Sequence, residues 1–157
     1  NSGFNLRPTD IQAAIAHNQF KRLDKLKKYR DINRNLIIKK LLTSKKWNNQ
    51  FKFIVTPKNI DPSWMGLPIL VSEKYKNKKQ KFINFLDQKG IETRPIISGN
   101  FANQPATKLY KLNQKNIKFN NAQKIKDLGF FIGLHTRKIS KSKLDFIHDV
   151  FFMIDNI

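Results

Sequence analysis

Residues 81–100 read KFINFLDQKGIETRPIISGN, and within this stretch the spacing of the apolar residues changes. Phe82, Ile83, Phe85 and Leu86 recur at three- and four-residue intervals, which marks one buried face of a helix running from Lys76 to Lys89. Gly90 stops that helix, because glycine takes the left-handed conformation after a last turn at no steric cost. From Ile91 to Ile97 the pattern is extended and apolar, with Arg94 in its middle and Ser98-Gly99-Asn100 behind it. A helix that hands over directly to a strand rules out an all-helical or all-strand chain. The remaining elements must fit an α+β arrangement.

On the N-terminal side, Phe51–Val55 and Leu67–Val71 read as strands. The loop from Thr56 to Gly66 between them carries Pro57, Pro62 and Gly66. Pro68 has no N–H to give to a ladder, so the second strand is placed with Pro68 at its start or at a sheet edge. Further upstream, Thr9 followed by Gln12 forms a capping-box pattern. Ile11, Ala14, Ile15, Phe20, Leu23, Leu26 and Tyr29 then follow at helical spacing, and Leu36, Ile37 and Leu41 carry it to about Thr43. That span is too long for one ordinary globular helix, and a bend is expected near Leu23-Asp24. On the C-terminal side come a polar loop from Ser98 to Pro105 and a short helix from Asn120 or Asn121 to Gly129. A strand over Phe130–Leu134 follows, and then a last helix capped by Ser140. The expected fold class is α+β: a small, mostly antiparallel sheet with helices on one face, preceded by a long, bent N-terminal helix.

Composition narrows the function. The chain has 157 residues, 39% of them apolar and thirteen of them Phe, enough to build a core. No run approaches the ~20 apolar residues that span a bilayer, and the N-terminus lacks the pattern of a secretory leader. A cytoplasmic setting without membrane attachment is the expectation. The opening Asn1-Ser2-Gly3, with no start methionine, reads as that of an excised piece. Cysteine is absent, so disulfides, thiolate metal sites and cysteine nucleophiles are excluded. The net charge of +20 admits a basic nucleic-acid module as an alternative function. The lysines, however, are spread from Lys21 to Lys143 along the polar sides of amphipathic segments, as a general Lys/Asn/Ile bias would leave them. Tight duplex binding at about 150 mM salt would favour the nucleic-acid reading.

The usual catalytic sets are missing. His17, His135 and His148 stand in no metal-ligand spacing, the eleven acidic residues are scattered, and no nucleophile elbow or glycine-rich phosphate loop occurs. No metal site and no catalytic residue are assigned. The polar residues that fall in loops are Asn5 and Arg7 before the first helix, Arg94 with Asn100 and Gln104, and His135 after the last strand. An arginine fork offers two parallel charge-assisted hydrogen bonds to a phosphate or carboxylate.

Three stretches together resemble the DegT/DnrJ/EryC1/StrS family of sugar aminotransferases: GFNLRPTDIQAAIAHNQFKRLD, GIETRPIISGNFANQPA and NAQKIKDLGFFIGLHT. The resemblance implies the C-terminal small domain of a pyridoxal-phosphate enzyme of aspartate-aminotransferase fold (fold type I). Residues 1–45 would form interface and connecting helices and residues 46–157 the α+β layer, with the large cofactor-binding domain outside this chain. It implies a nucleotide-linked 4-keto-6-deoxysugar as substrate, in lipopolysaccharide, O-antigen or other deoxysugar biosynthesis, and a homodimer with shared active sites. The wording of the second stretch is similar to the branch that includes sugar 3-dehydratases, so amination and 3-deoxygenation both stay open. By the same resemblance, Asn5 reaches the cofactor phosphate of the neighbouring subunit and Arg7 lies near the nucleotide phosphates. Arg94 and Asn100 face the sugar, and His135 sits where the chain returns toward the pocket. Pyridoxal phosphate, or its aminated form, belongs to the intact enzyme and is not expected on this piece alone. Leu134 stands where the family pattern leads one to expect a polar residue before the histidine.

Overall fold

A computed structural model describes residues 9–112 and 117–157. Its order is α1 (Asp10–Phe20), α2 (Leu23–Leu42), β1 (Phe51–Phe53), β2 (Gly66–Val71), α3 (Lys79–Gln88), β3 (Thr93–Arg94), α4 (Pro105–Leu109), α5 (Asn120–Leu128), β4 (Gly129–Gly133) and α6 (Lys141–Phe151). Short 3-10 turns lead into α3 and follow β3 and α6.

The four strands form one antiparallel sheet in the order β1-β2-β4-β3. Strand alternation divides their side chains between two faces. Leu67, Ile69 and Val71 of β2 and Phe130 and Ile132 of β4 all point inward and are buried. Lys52, Pro68, Leu70, Phe131 and, by its pairing with Phe131, Arg94 fall on the outer face. Helices α2, α3 and α6 supply the other half of the core through Ile37, Leu41, Phe82, Leu86, Val150 and Phe151. Phe82 is its centre, with ring centroids 5.7 Å from Phe51, 5.7 Å from Phe151 and 6.2 Å from Phe130. Each such buried ring is worth about 1.5–3 kcal/mol in transfer alone. The core is therefore one-sided, as the apolar periodicities require.

Several boundaries differ from the sequence reading, each for a local reason. The bend between α1 and α2 falls at Lys21-Arg22, just before the expected Leu23-Asp24. The expected capping box is present: Gln12 N–H donates to Thr9 Oγ1 at 3.4 Å and Thr9 N–H to Gln12 Oε1 at 2.9 Å. Pro68 lies in a strand with neighbours on both sides. However, the β1 pairing stops at Phe53↔Ile69, so the chain beside Pro68 is locally an edge on that flank. The helix expected over Lys76–Lys89 begins as a 3-10 turn at Glu73–Lys78 and becomes α-helical only at Lys79. Gly90 ends it with φ +79°. The largest departure is β3, which pairs over two residues instead of seven. Pro95 cannot donate to β4, and Ile97 and Gly99 take φ of +47° and +64°, which curls the chain off the sheet. Helix α4, with Pro105 at its first position, was not anticipated.

Candidate functional site

Gly90 and β3 bring Arg94 to the open edge of the sheet. Thr93 is fixed first: its N–H donates to Asp87 Oδ1 at 2.9 Å and its hydroxyl to the same oxygen at 3.1 Å. That anchor orients the next residue outward, and the Arg94 side chain is 65% exposed, 2.5 Å from Glu92 Oε1. Beside it lies an open hollow of 810 Å³ walled by Met65, Arg94, Pro95, Ile97 and Phe131. Gly66 and Gly133 are paired across its rim. A Cβ on Gly66 would come within 2.5 Å of the Phe131 ring, so glycine there lets the ring lie flat along the outer face.

His135 follows β4 and is exposed. Its Nδ1 accepts the Arg137 backbone N–H at 3.0 Å, so the neutral ring carries its proton on Nε2. Its hollow, 630 Å³, shares Gly90, Ile91, Gly133 and Ile147 with that of Arg94. The two residues thus border adjoining depressions along one edge. Arg94 is paired with Phe131, four residues before His135.

Asn100 stands elsewhere. It is 5% exposed, its Oδ1 accepts the Ala102 N–H at 3.2 Å, and its Nδ2 donates to Gln123 Oε1 at 3.0 Å. The same Gln123 oxygen accepts from Asn103 Nδ2 at 2.8 Å, and Gln123 Nε2 donates to Asp127 Oδ1 at 2.8 Å. Asn100 therefore straps the loop after β3 to α5. Asn5 and Arg7 lie outside the described residues.

Two residues missed in the sequence organise this edge. Asn33 of α2 is 1% exposed; its Nδ2 donates to the carbonyls of His135 (2.9 Å) and Arg137 (2.8 Å), and its Oδ1 accepts the Ile139 N–H at 2.9 Å. Three bonds from one amide hold the loop after β4. Its signal was available, since Asn33 shares a helix face with Ile37 and Leu41, and a polar residue at such a position asks for a partner. Lys79 is the second: burial pushes its pKa down, and its Nζ donates to the carbonyls of Lys126 at 2.8 Å and Gly129 at 3.5 Å, closing the C-terminus of α5. Among the described residues no group of acids and histidines could hold a metal ion. No helix there is long and apolar enough to cross a membrane.

The profile of the DegT/DnrJ/EryC1/StrS aminotransferase family matches residues 1–149. The chain belongs to this family. It is 28% identical over 150 residues to the lipopolysaccharide biosynthesis protein RfbH of Salmonella typhimurium, covering 92% of this chain and 32% of RfbH. It is 25% identical over 149 residues to the GDP-4-keto-6-deoxy-D-mannose 3-dehydratase of Escherichia coli O55:H7, covering 94% of this chain and 36% of that protein. Among solved structures, the E. coli GDP-4-keto-6-deoxy-D-mannose 3-dehydratase with bound hydrated pyridoxal phosphate superposes with a TM-score of 0.73 at 22% identity. That superposition covers 94% of this chain and 36% of the other. The chain thus spans about a third of the length of the relatives it matches, and its small antiparallel sheet with helices is the fold that this family member shares with that structure.

Proposed function

We propose that the chain is the C-terminal small domain of a pyridoxal-phosphate-dependent enzyme that acts on a nucleotide-linked 4-keto-6-deoxysugar, by 3-dehydration or by amination. The observation that carries this is the family match running through residues 1–149, with relatives that include a GDP-sugar 3-dehydratase. In this reading the intact enzyme is a cytoplasmic homodimer, with α1 and α2 beside the subunit interface. The exposure of Ile11, Ile15 and Phe20 on α1 supports a covered position for that helix in the assembly.

Lys79, the partly buried lysine whose pKa is lowered by burial, uses its ammonium on backbone carbonyls, and the hollow that it lines has no aromatic ring in its wall. The cofactor, which when bound supplies the electron sink for chemistry next to a carbonyl or amine, would be held mainly by another part of the enzyme, with Asn5 reaching its phosphate. Arg7 would stand near the nucleotide phosphates. At the edge of the sheet, Arg94 would meet a sugar hydroxyl or an anionic group of the substrate in place of Glu92. His135, with its Nε2 proton directed by the Nδ1 bond, would donate to a sugar oxygen. Asn100 would act at the sugar's side by shaping the loop after β3.

The test is turnover by the intact enzyme supplied with pyridoxal phosphate, L-glutamate and GDP-4-keto-6-deoxymannose. A 3-deoxy sugar product assigns dehydration and a 4-amino sugar assigns amination. No product from this or other nucleotide 4-keto-6-deoxysugars overturns the reading. Arg94→Ala is expected to raise KM at least tenfold in this assay; an unchanged KM and kcat would remove Arg94 from the site.

A further inference from the structure

We propose that the hollow between the head of α2 and the loop after β4 is a binding site for a phosphate-bearing anion. It encloses 470 Å³ and sets Arg22, Lys25 and Tyr29 against Thr136, Arg137 and Lys138. Four of these six are cations, and no acid lines the hollow. The arrangement follows from helix geometry. At 3.6 residues per turn, Arg22, Lys25, Leu26, Tyr29 and Asn33 share one face of α2, while Asp24 and Asp31 lie roughly opposite. Those two acids act on Lys27 instead, whose proton is held first by the hydrogen bond to Asp61.

Four cations elsewhere pair with acids among the described residues: Lys27 with Asp61, Lys40 with Asp145 at 2.6 Å, Lys76 with Asp127 at 2.8 Å, and Arg94 with Glu92. The side chains of Arg22, Lys25, Arg137 and Lys138 form no ion pair among the described residues. Like charges converging on one hollow repel, so something other than mutual attraction must hold them there. Asn33 binds the carbonyls of His135 and Arg137 and the N–H of Ile139, which fixes the backbone that carries two of the four cations. That wall of the hollow is therefore organised before a ligand arrives.

The ligand chemistry follows from the donors. Two guanidinium forks can each give a bidentate pair, two ammonium groups add charge, and the Thr136 and Tyr29 hydroxyls can donate to further oxygens. A single carboxylate has too few oxygens and too little charge to use them; a phosphate or diphosphate has enough of both. The hollow shares no lining residue with that of Arg94 but adjoins the His135 hollow through Arg137 and Lys138. A diphosphate here would therefore leave room for an attached group beside His135. Two sources supply such a group: free phosphate or pyrophosphate, and the diphosphate of a nucleotide-sugar. Only the second rests on the function proposed above.

The experiment is calorimetric titration of inorganic pyrophosphate into the intact protein at about 150 mM salt, where diffuse attraction is screened. Saturable one-to-one binding is expected, at least tenfold weaker in Arg22→Gln/Arg137→Gln and unchanged in Lys108→Gln/Lys111→Gln, which removes the same charge from a remote exposed surface. Should the double variant fold poorly, Arg22→Gln and Arg137→Gln are measured singly, both residues being exposed. No saturable binding, or equal weakening in the two pairs, overturns the site. Competition by a nucleotide-sugar assigns it to a substrate diphosphate, and pyrophosphate binding indifferent to nucleotide-sugars assigns it to a free phosphate; either supports the site. Because pyrophosphate binding is read without turnover, an enzyme inactive on every nucleotide-sugar still leaves this result decided.

Discussion

Asn33 shows how one side chain can set a surface it does not touch. Its three hydrogen bonds cross 102, 104 and 106 residues of sequence, and its amide is the right chemistry because it donates twice and accepts once from a single rigid plane. Asn33→Ala removes the partners of two carbonyls and one N–H in a part-buried place, a loss of about 1–3 kcal/mol. Asn33→Asp should cost more than the alanine. It can still accept from Ile139, but it turns a carboxylate toward two carbonyl oxygens that need donors. Urea denaturation of the two variants checks the order; an aspartate variant as stable as wild type would mean that the loop is held by something else. The position of Asn33 on an apolar helix face was legible in the sequence. Its partners were not, because nothing local in residues 135–139 signals a donor arriving from α2.

At the scale of elements, helices α2, α3, α5 and α6 and the strands β2 and β4 were legible because their apolar spacing coincides with their buried faces. The strand around Arg94 was legible only in part. Its apolar letters promised seven paired residues, but Pro95 and two left-handed residues end the pairing after two, and apolar content does not report backbone sign. The candidate residues show the same limit: the sequence names Arg94, His135 and Asn100 without their spatial relation, and the structure sets the first two beside adjoining hollows and ties Asn100 to Gln123. The turn after β3 gives an opposed pair of predictions. Gly99→Ala puts a Cβ 2.7 Å from Lys126 Cβ at φ +64° and should destabilise by about 1–3 kcal/mol. Ile97 holds φ +47° with a β-branched side chain that is 89% exposed, so Ile97→Gly relieves about 1 kcal/mol of strain with little packing to lose. Thermal melts should move in opposite directions. If both variants lower Tm, the left-handed turn is not what limits stability there.

At the scale of the whole molecule, the decisive quantity is a net charge of +20 on 157 residues. So large an excess destabilises the compact state by self-repulsion, which makes the few acids unusually consequential. Asp127 and Asp145 are held below the ordinary carboxylate value of 3.8, chiefly by the hydrogen bonds from Lys76 and Lys40. The first ties α5 to the turn before α3, and the second ties α2 to α6. A carboxylate with a lowered folded pKa contributes stability that is complete above its unfolded value and is lost as pH falls through its folded one. Stability should therefore hold from neutral pH to about 5 and decline below about 4, more steeply in low salt, where protonation leaves the lysines uncompensated and unscreened. Asp127→Asn/Asp145→Asn should be less stable than wild type at pH 7, with the difference shrinking toward pH 2, where wild type has lost the same two charges. Denaturant midpoints measured from pH 7 to pH 2 decide it: a difference that stays constant with pH would mean that the two aspartates act through packing and not through charge.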